Sequence, residues 1–168
     1  MNLLQILKVD WRANRENPKG LFVVTLFRMA HLLSGFRGGA FFPLWIIGIP
    51  YLVLYRIGVE WILGIELPQK TKIGPGLVVW HGQGLVVNDE AVLGANVQLR
   101  HNVTIGNREY YGPCPVIEDD VDIGAGAFIL GSIRIGKGAR IGAGAVVLQD
   151  VPAGALAVGN PARIIRKS

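Results

Sequence analysis

From residue 73 onward the apolar positions fall at a spacing of six. Ile117, Ile123, Ile129, Ile135, Ile141 and Val147 keep that period without a break, and four places after each stand Val121, Ala127, Ile133, Ala139, Ala145 and Val151. Upstream, Val87, Leu93, Leu99 and Ile105 follow the same period, with Ala91, Val97 and Val103 at the +4 places. Ile73, Val79 and Leu85 begin the series two places out of register, so two extra residues enter near Leu85. Six matches neither 3.6 nor 3.5, so a helix or coiled coil is excluded. Hexapeptide self-similarity is the mark of a parallel β-helix, in which three hexads close one triangular coil. Each leading aliphatic is expected to point inward and to stack on the one a coil later.

The stretch 1–64 reads differently. Leu3, Leu4, Leu7 and Trp11 recur at three- and four-residue spacing, which predicts a helix over 2–17 that Pro18 ends. A second helix is expected over 20–34, with Phe22, Leu26, Met29, Ala30 and Leu33 on one face and Gly35 at its end. Gly38 to Tyr55 then runs without a charge, at the lower edge of length for a bilayer-spanning helix, and Pro43 and Pro50 interrupt it. Three placements stay open for it: packing on a partner or on the second half, a position in the membrane interface, or a span. The chain therefore reads as a helical apolar region 1–64, a repeat region 65–165 and a tail 166–168.

The repeat breaks once. Ile105 to Ile117 covers two hexads, yet residues 107–115 carry no hexad pattern, and Gly112, Pro113 and Pro115 make them a projecting loop. A loop on a rigid scaffold is a natural place for function; a tolerated insertion is the other reading.

Composition adds constraints. Apolar residues are 51% and charged residues 17%, below the roughly 25% of average soluble domains, which excludes a disordered chain. The 23 glycines are about twice the usual share. Gly124, Gly136 and Gly142, each after a leading aliphatic, are expected to let backbones approach closely at coil corners. A net charge of +5 fits a phosphate-bearing ligand or an anionic membrane surface. Nucleic acid is not expected, since basic residues do not interleave with aromatics in a stripe. Cys114 is the only cysteine, which excludes a disulfide scaffold. Asp10 interrupts the apolar N-terminus early, so a signal peptide is not read and a reducing cytoplasm is the expectation.

His31 falls in the second predicted helix and has a structural reading. His81 and His101 each take the third position of a hexad, those of Val79 and Leu99. One coil plus the two-residue slip separates them. They should stack on one face roughly one strand spacing, about 5 Å, from each other, beside the projecting loop. An imidazole titrates near neutrality and suits general-base work.

These residues carry a family resemblance. The hexads, His81-Gly-Gln-Gly-Leu-Val-Val-Asn88, Arg100-His-Asn-Val-Thr-Ile-Gly-Asn-Arg108 and Ala157-Val-Gly-Asn-Pro-Ala-Arg163 resemble the left-handed β-helix acyltransferases. Within them the chain is similar to the serine O-acetyltransferase branch, above all to short exopolysaccharide members of the colanic acid type. The resemblance implies a mainly β fold, a left-handed parallel β-helix with a short helical N-terminal region. It also implies direct transfer from acetyl-CoA with no metal, and a homotrimer with sites between neighbouring β-helices. His81 matches the family's catalytic base, and upstream of it Glu66 stands where the serine enzymes have an orienting Asp. Gly106 and Asn107 match the backbone donors near the thioester. Ala125 and Ala143 match small corner residues along the pantetheine arm. Arg140, and more weakly Arg163, match basic positions near the CoA phosphates.

The acceptor side departs from the serine pattern. Trp80 stands where the serine enzymes place an Asp before the base, Pro113 and Cys114 where they place an Arg-His pair, and Asn17-Pro18 where they have Asp-Pro. Losing those charged anchors argues against an amino-acid acceptor. Trp80, His101, Arg108, Tyr110 and Cys114 are the expected acceptor-side residues, and an aromatic face at Trp80 suits a sugar ring. The reading is a sugar O-acetyltransferase acting on a surface-polysaccharide precursor. Residues 38–64 would touch the cytoplasmic membrane face. A reduced serine acetyltransferase and a non-catalytic β-helix scaffold compete with it. A metal β-helix would need three converging histidines, and only His81 and His101 can share a site.

Overall fold

A computed structural model describes residues 1–36 and 42–165. The positions of 38–41 within the uncharged stretch, and the tail 166–168, lie outside the described residues. The repeat region forms a parallel β-helix of about five coils with three sheets. The first sheet holds β1 (Ile65–Glu66), β4 (Leu85–Val87), β7 (Thr104–Gly106), β10 (Phe128–Leu130) and β13 (Val146–Val147). The second holds β2 (Lys72–Ile73), β5 (Val92–Leu93), β8 (Val116–Ile117) and β11 (Arg134–Ile135). The third holds β3 (Val78–Val79), β6 (Gln98–Leu99), β9 (Asp122–Ile123), β12 (Arg140–Ile141), β14 (Leu156–Val158) and β15 (Arg163–Ile165). Among the described residues only the last pairing, β14 with β15, is antiparallel.

The hexad arithmetic is visible in the strand register. Val116 pairs with Arg134 and Asp122 with Arg140, in each case one coil of three hexads further on. Val78 pairs with Gln98, whereas Val86 pairs with Thr104, so the two extra residues lie in the turn between Val79 and Val86. Val92 pairs with Val116, so the 107–115 loop inserts six residues into its coil. Every leading aliphatic from Val79 to Val147 is buried, as is every +4 residue from Ala91 to Val151; Ile73, in the first coil, is only half-buried. Gly124 meets the expected corner demand: a Cβ there would lie 2.5 Å from the amide nitrogen of Ala143 in the next coil.

The helices form as elements but turn different faces inward. They are α1 (Leu3–Ala13), α2 (Pro18–Gly35) and α3 (Phe42–Tyr55), followed by a π-helical turn at Arg56–Ile62. Pro18 opens α2 at its first position rather than merely ending α1. The expected face of α1 is not buried; the buried residue of that helix is Asp10. On α2 the inner face is Val23, Val24, Phe27 and Ala30, while Phe22 and Met29 point outward.

A polar stripe explains the difference. The first coil leaves strand edges unpaired, and unsatisfied backbone groups there would be costly. Asp10 accepts from the amide of Gly76 and pairs with Arg28 (Nε to Oδ2, 2.8 Å), and Arg28 donates to the carbonyls of Ile73 and Gly74. Asn14 donates to the carbonyl of Leu77 and Asn17 to that of Val79. The Asn17 side chain also accepts from the amide of Gly20, capping α2. Four polar side chains thus seal the open end of the β-helix. Removing Asp10 alone would strand a buried guanidinium, at a cost of about 3–5 kcal/mol.

Candidate active site

His81 stands at the corner where the chain passes from the third sheet to the first. The turn from Trp80 to Gly84 holds the two extra residues and needs three left-handed conformations, at His81 (φ 65), Gly82 (φ 71) and Gly84 (φ 68). Asn96, Asn102, Tyr111 and Asp120 share such a φ, as Asn and Asp readily do at coil turns. Glycine is favoured at 82 on two counts: the left-handed φ, and a Cβ that would lie 2.7 Å from Ile65 Cδ1. The amide of Gly84 donates to the carbonyl of Gly64, which ties the turn to the chain leading into β1.

The next three passages through this corner stack on the first. The amide of Asn102 donates to the carbonyl of Gln83, that of Gly126 to His101, and that of Gly144 to Ala125. Gln83, His101, Ala125 and Ala143 therefore form one backbone column, and the two extra residues of the first turn carry His81 to its head, against the His101 ring; this is referred to below as the histidine corner. The two imidazoles stack as expected, with centroids 6.0 Å apart and planes at 70°. The His81 ring is exposed, and Nδ1 of His101 is shut off from solvent without a hydrogen-bond partner. Trp80 is fixed in orientation: its Nε1–H donates to Oε1 of Gln98 at 3.1 Å. Asn17 reaches the same place by its bond to the Val79 carbonyl. Arg100 is committed to Asp122 and to the carbonyl of Ile123. Sequence reasoning missed Gln98 and Gly82; Gln98 pairs with Val78 across the enlarged coil and so stands diagonal to Trp80, two places on, which the slip near Leu85 contains.

Arg140 lies on β12 at the approach to this corner, and Arg163 on β15 of the same sheet. Both are exposed, and neither makes an ion pair among the described residues.

The remaining predicted residues lie elsewhere. Glu66 lines a separate cavity of about 350 Å³ with Arg56, Glu60 and Trp61, and among the described residues no hydrogen bond joins it to His81. Gly106, Asn107, Arg108, Tyr110 and Cys114 belong to the corner between the first and second sheets, referred to below as the loop corner. The expectation that the loop lies beside the histidine pair is thus corrected within one chain: the whole width of the first sheet separates them. Asn107 donates to the carbonyl of Glu109 and borders an open cavity of about 470 Å³ with Asn88, Asp89, Glu90, Tyr110, Tyr111 and Gly112. Arg108 and Tyr110 are exposed. Burial pushes the Cys114 thiol up, and Glu90 and Asp89 push it further, so the thiol is held protonated. Such a cysteine is a poor nucleophile. Among the described residues no three His, Cys, Asp or Glu side chains converge as a metal site would require.

The family described as "Bacterial transferase hexapeptide (six repeats)" matches residues 114–149. A serine acetyltransferase from soybean, solved without ligand, superposes over 97% of this chain and 69% of its own, at 37% identity and a TM-score of 0.80. The chain belongs to the hexapeptide-repeat acyltransferases, in their serine acetyltransferase-like branch. A serine acetyltransferase of Brucella abortus, solved in complex with coenzyme A, shares 32% identity over 96% of this chain and 66% of its own, with a TM-score of 0.77. The Escherichia coli K12 protein named "Putative colanic acid biosynthesis acetyltransferase WcaB" is 40% identical over 100 residues, 59% of this chain. The match spans 60% of the length of that relative.

Proposed function

We propose that this protein transfers an acetyl group from acetyl-CoA to a hydroxyl of a sugar in a surface-polysaccharide precursor, as a homotrimer. The observation that carries the reading is the histidine corner: an exposed imidazole held in a left-handed turn, backed by a second imidazole, at the head of a column of small residues. His81 takes the proton of the acceptor hydroxyl as that oxygen bonds to the thioester carbonyl carbon. The carbon–sulfur bond then breaks, and His81 returns the proton to the departing thiolate. Base catalysis of this kind is worth about 10²–10⁴-fold.

The residues present fit the donor. Ala125 and Ala143 leave corner backbone accessible to an extended pantetheine arm, and Arg140 and Arg163 are uncommitted cations suited to its phosphates. Glu66, which the family resemblance assigns to orienting His81, lies in its own cavity with Arg56, Glu60 and Trp61 and is given no part in the step.

Support for a sugar comes from what surrounds the base. Trp80 offers a fixed indole, and sugars stack on such faces. Asn17 is spent on the Val79 carbonyl and the Gly20 amide, leaving no charge for an ammonium group. Support for the trimer comes from the outer face of the first sheet. Glu66, Val86, Thr104, Phe128 and Val146 stand in register there, between the two corners, uncharged beyond Glu66 in the first coil. Packing copies about this face would set the loop corner of one chain against the histidine corner of the next, with the backbone amides of Gly106 and Asn107 available to a developing oxyanion.

The test is release of CoA from acetyl-CoA with a panel of nucleotide-linked and oligomeric sugars against L-serine, with product mass as a second readout. Turnover on a sugar is expected. Turnover on L-serine alone would move the protein to cysteine biosynthesis, and failure to bind CoA by calorimetry would make it a scaffold.

A further inference from the structure

The helical layer exposes many large apolar side chains, and an apolar patch of that kind marks an interaction surface. α2 packs between α1 and α3, and each of the three turns exposed apolar side chains away from the β-helix core. On α3 and the π-helical turn these include Leu44, Ile47, Leu54 and Trp61, with Ile47 74% and Leu54 68% exposed. On α1, Leu4 and Trp11 are exposed on the side opposite Asp10, and Phe22 and Met29 are their counterparts on α2.

Charge is distributed to match. Residues 1–64 contain seven Lys and Arg against three Asp and Glu; the rest of the chain contains ten against nine. Four of the five net positive charges therefore fall in residues 1–64. Asp10 is buried against Arg28 and Glu60 is paired with Arg56, while Lys8, Arg12, Arg15 and Lys19 stay exposed near Trp11, with Glu16 an exposed acid among them. Exposed tryptophan and leucine flanked by lysine and arginine is the composition of a helix that lies in a lipid interface. No helix among the described residues is long and apolar enough to cross a membrane.

We infer that the helical layer docks on an anionic lipid surface: the apolar side chains of α1 and α3 enter the headgroup boundary, and Lys8, Arg12 and Arg15 face the lipid phosphates. The β-helix then stands with its first coil, and the histidine corner, nearest the membrane. This holds whatever the acceptor is.

The test is flotation of the full chain with vesicles of phosphatidylethanolamine and phosphatidylglycerol, against vesicles of phosphatidylcholine alone. Binding is expected to the anionic vesicles, weakening with salt and accompanied by a blue shift of tryptophan emission. Reversing Lys8, Arg12 and Arg15 to Glu should lower partitioning by about fivefold for each charge removed. Ile47→Ser with Leu54→Ser should abolish the blue shift. Circular dichroism and CoA release separate a misfolded variant from a folded one that no longer binds, and the salt dependence of the unaltered chain stands without any variant. Absence of binding to anionic vesicles, or binding indifferent to salt, overturns the inference. So does an apolar face that Ile47→Ser and Leu54→Ser convert from a higher oligomer to a trimer, which would assign it to a second copy.

Discussion

The two corners flanking the first sheet are built on opposite principles. The histidine corner is short and repeated: four passages stack by amide-to-carbonyl bonds, and its one irregularity is the two-residue excess that carries His81. The loop corner is widened by six inserted residues, and Tyr110 and Tyr111 project there with rings 4.4 Å apart and almost wholly in solvent. On the proposed function, the base holds its position within a fraction of an ångström by stacking, and the acceptor-binding loop varies by insertion at a different corner.

The comparison breaks most easily at the base. His81→Ala should lower acetyl transfer by about 10²–10⁴-fold with stability unchanged, measured as CoA release and thermal melting. Gly82→Ala attacks the turn itself. The left-handed backbone and the contact with Ile65 should cost about 2–4 kcal/mol, read by denaturant unfolding. At the loop corner the effect should shift from stability to binding. Removing residues 109–112 should raise the KM for the acceptor by about tenfold, roughly 1.4 kcal/mol, while the KM for acetyl-CoA and the melting temperature hold. The smallest effect belongs to Cys114. Cys114→Ser should leave the rate within about twofold, since a raised thiol supplies little thiolate. Because the raised thiol ionises only at higher pH, the alkylation rate of Cys114 should climb at more alkaline pH than that of free cysteine.

Much of this was legible in the residues. The period of six gives the coils and their core, the slip near Leu85 gives the turn at His81, and the spacing of His81 and His101 gives their stacking. Assigning hexads to sheets would also have separated the two corners: Val79 and Leu99 head hexads of one sheet, and Ile105 heads one of the next. The helical layer was legible only as helices. A periodicity argument assumes that a buried face is apolar, and here Asp10, Asn14, Asn17 and Arg28 turn inward because they meet strand edges instead of side chains. Nothing local in the sequence announces a strand edge so far along the chain. The position of Glu66 was unreadable for a similar reason, since its cavity is bounded by the π-helical turn that no hydrophobic pattern predicts.

The central claim is that one site is made from the histidine corner of one copy and the loop corner of the next. Co-producing the His81→Ala chain with the chain lacking 109–112, and assaying the mixed assemblies at low acceptor concentration, tests it most directly. Random mixing in a closed symmetric assembly leaves about a quarter of the sites with both corners intact, so activity near a quarter of the unaltered protein's is predicted. Activity no higher than the mean of the two variants alone would contradict it, because each chain would then have to supply its whole site.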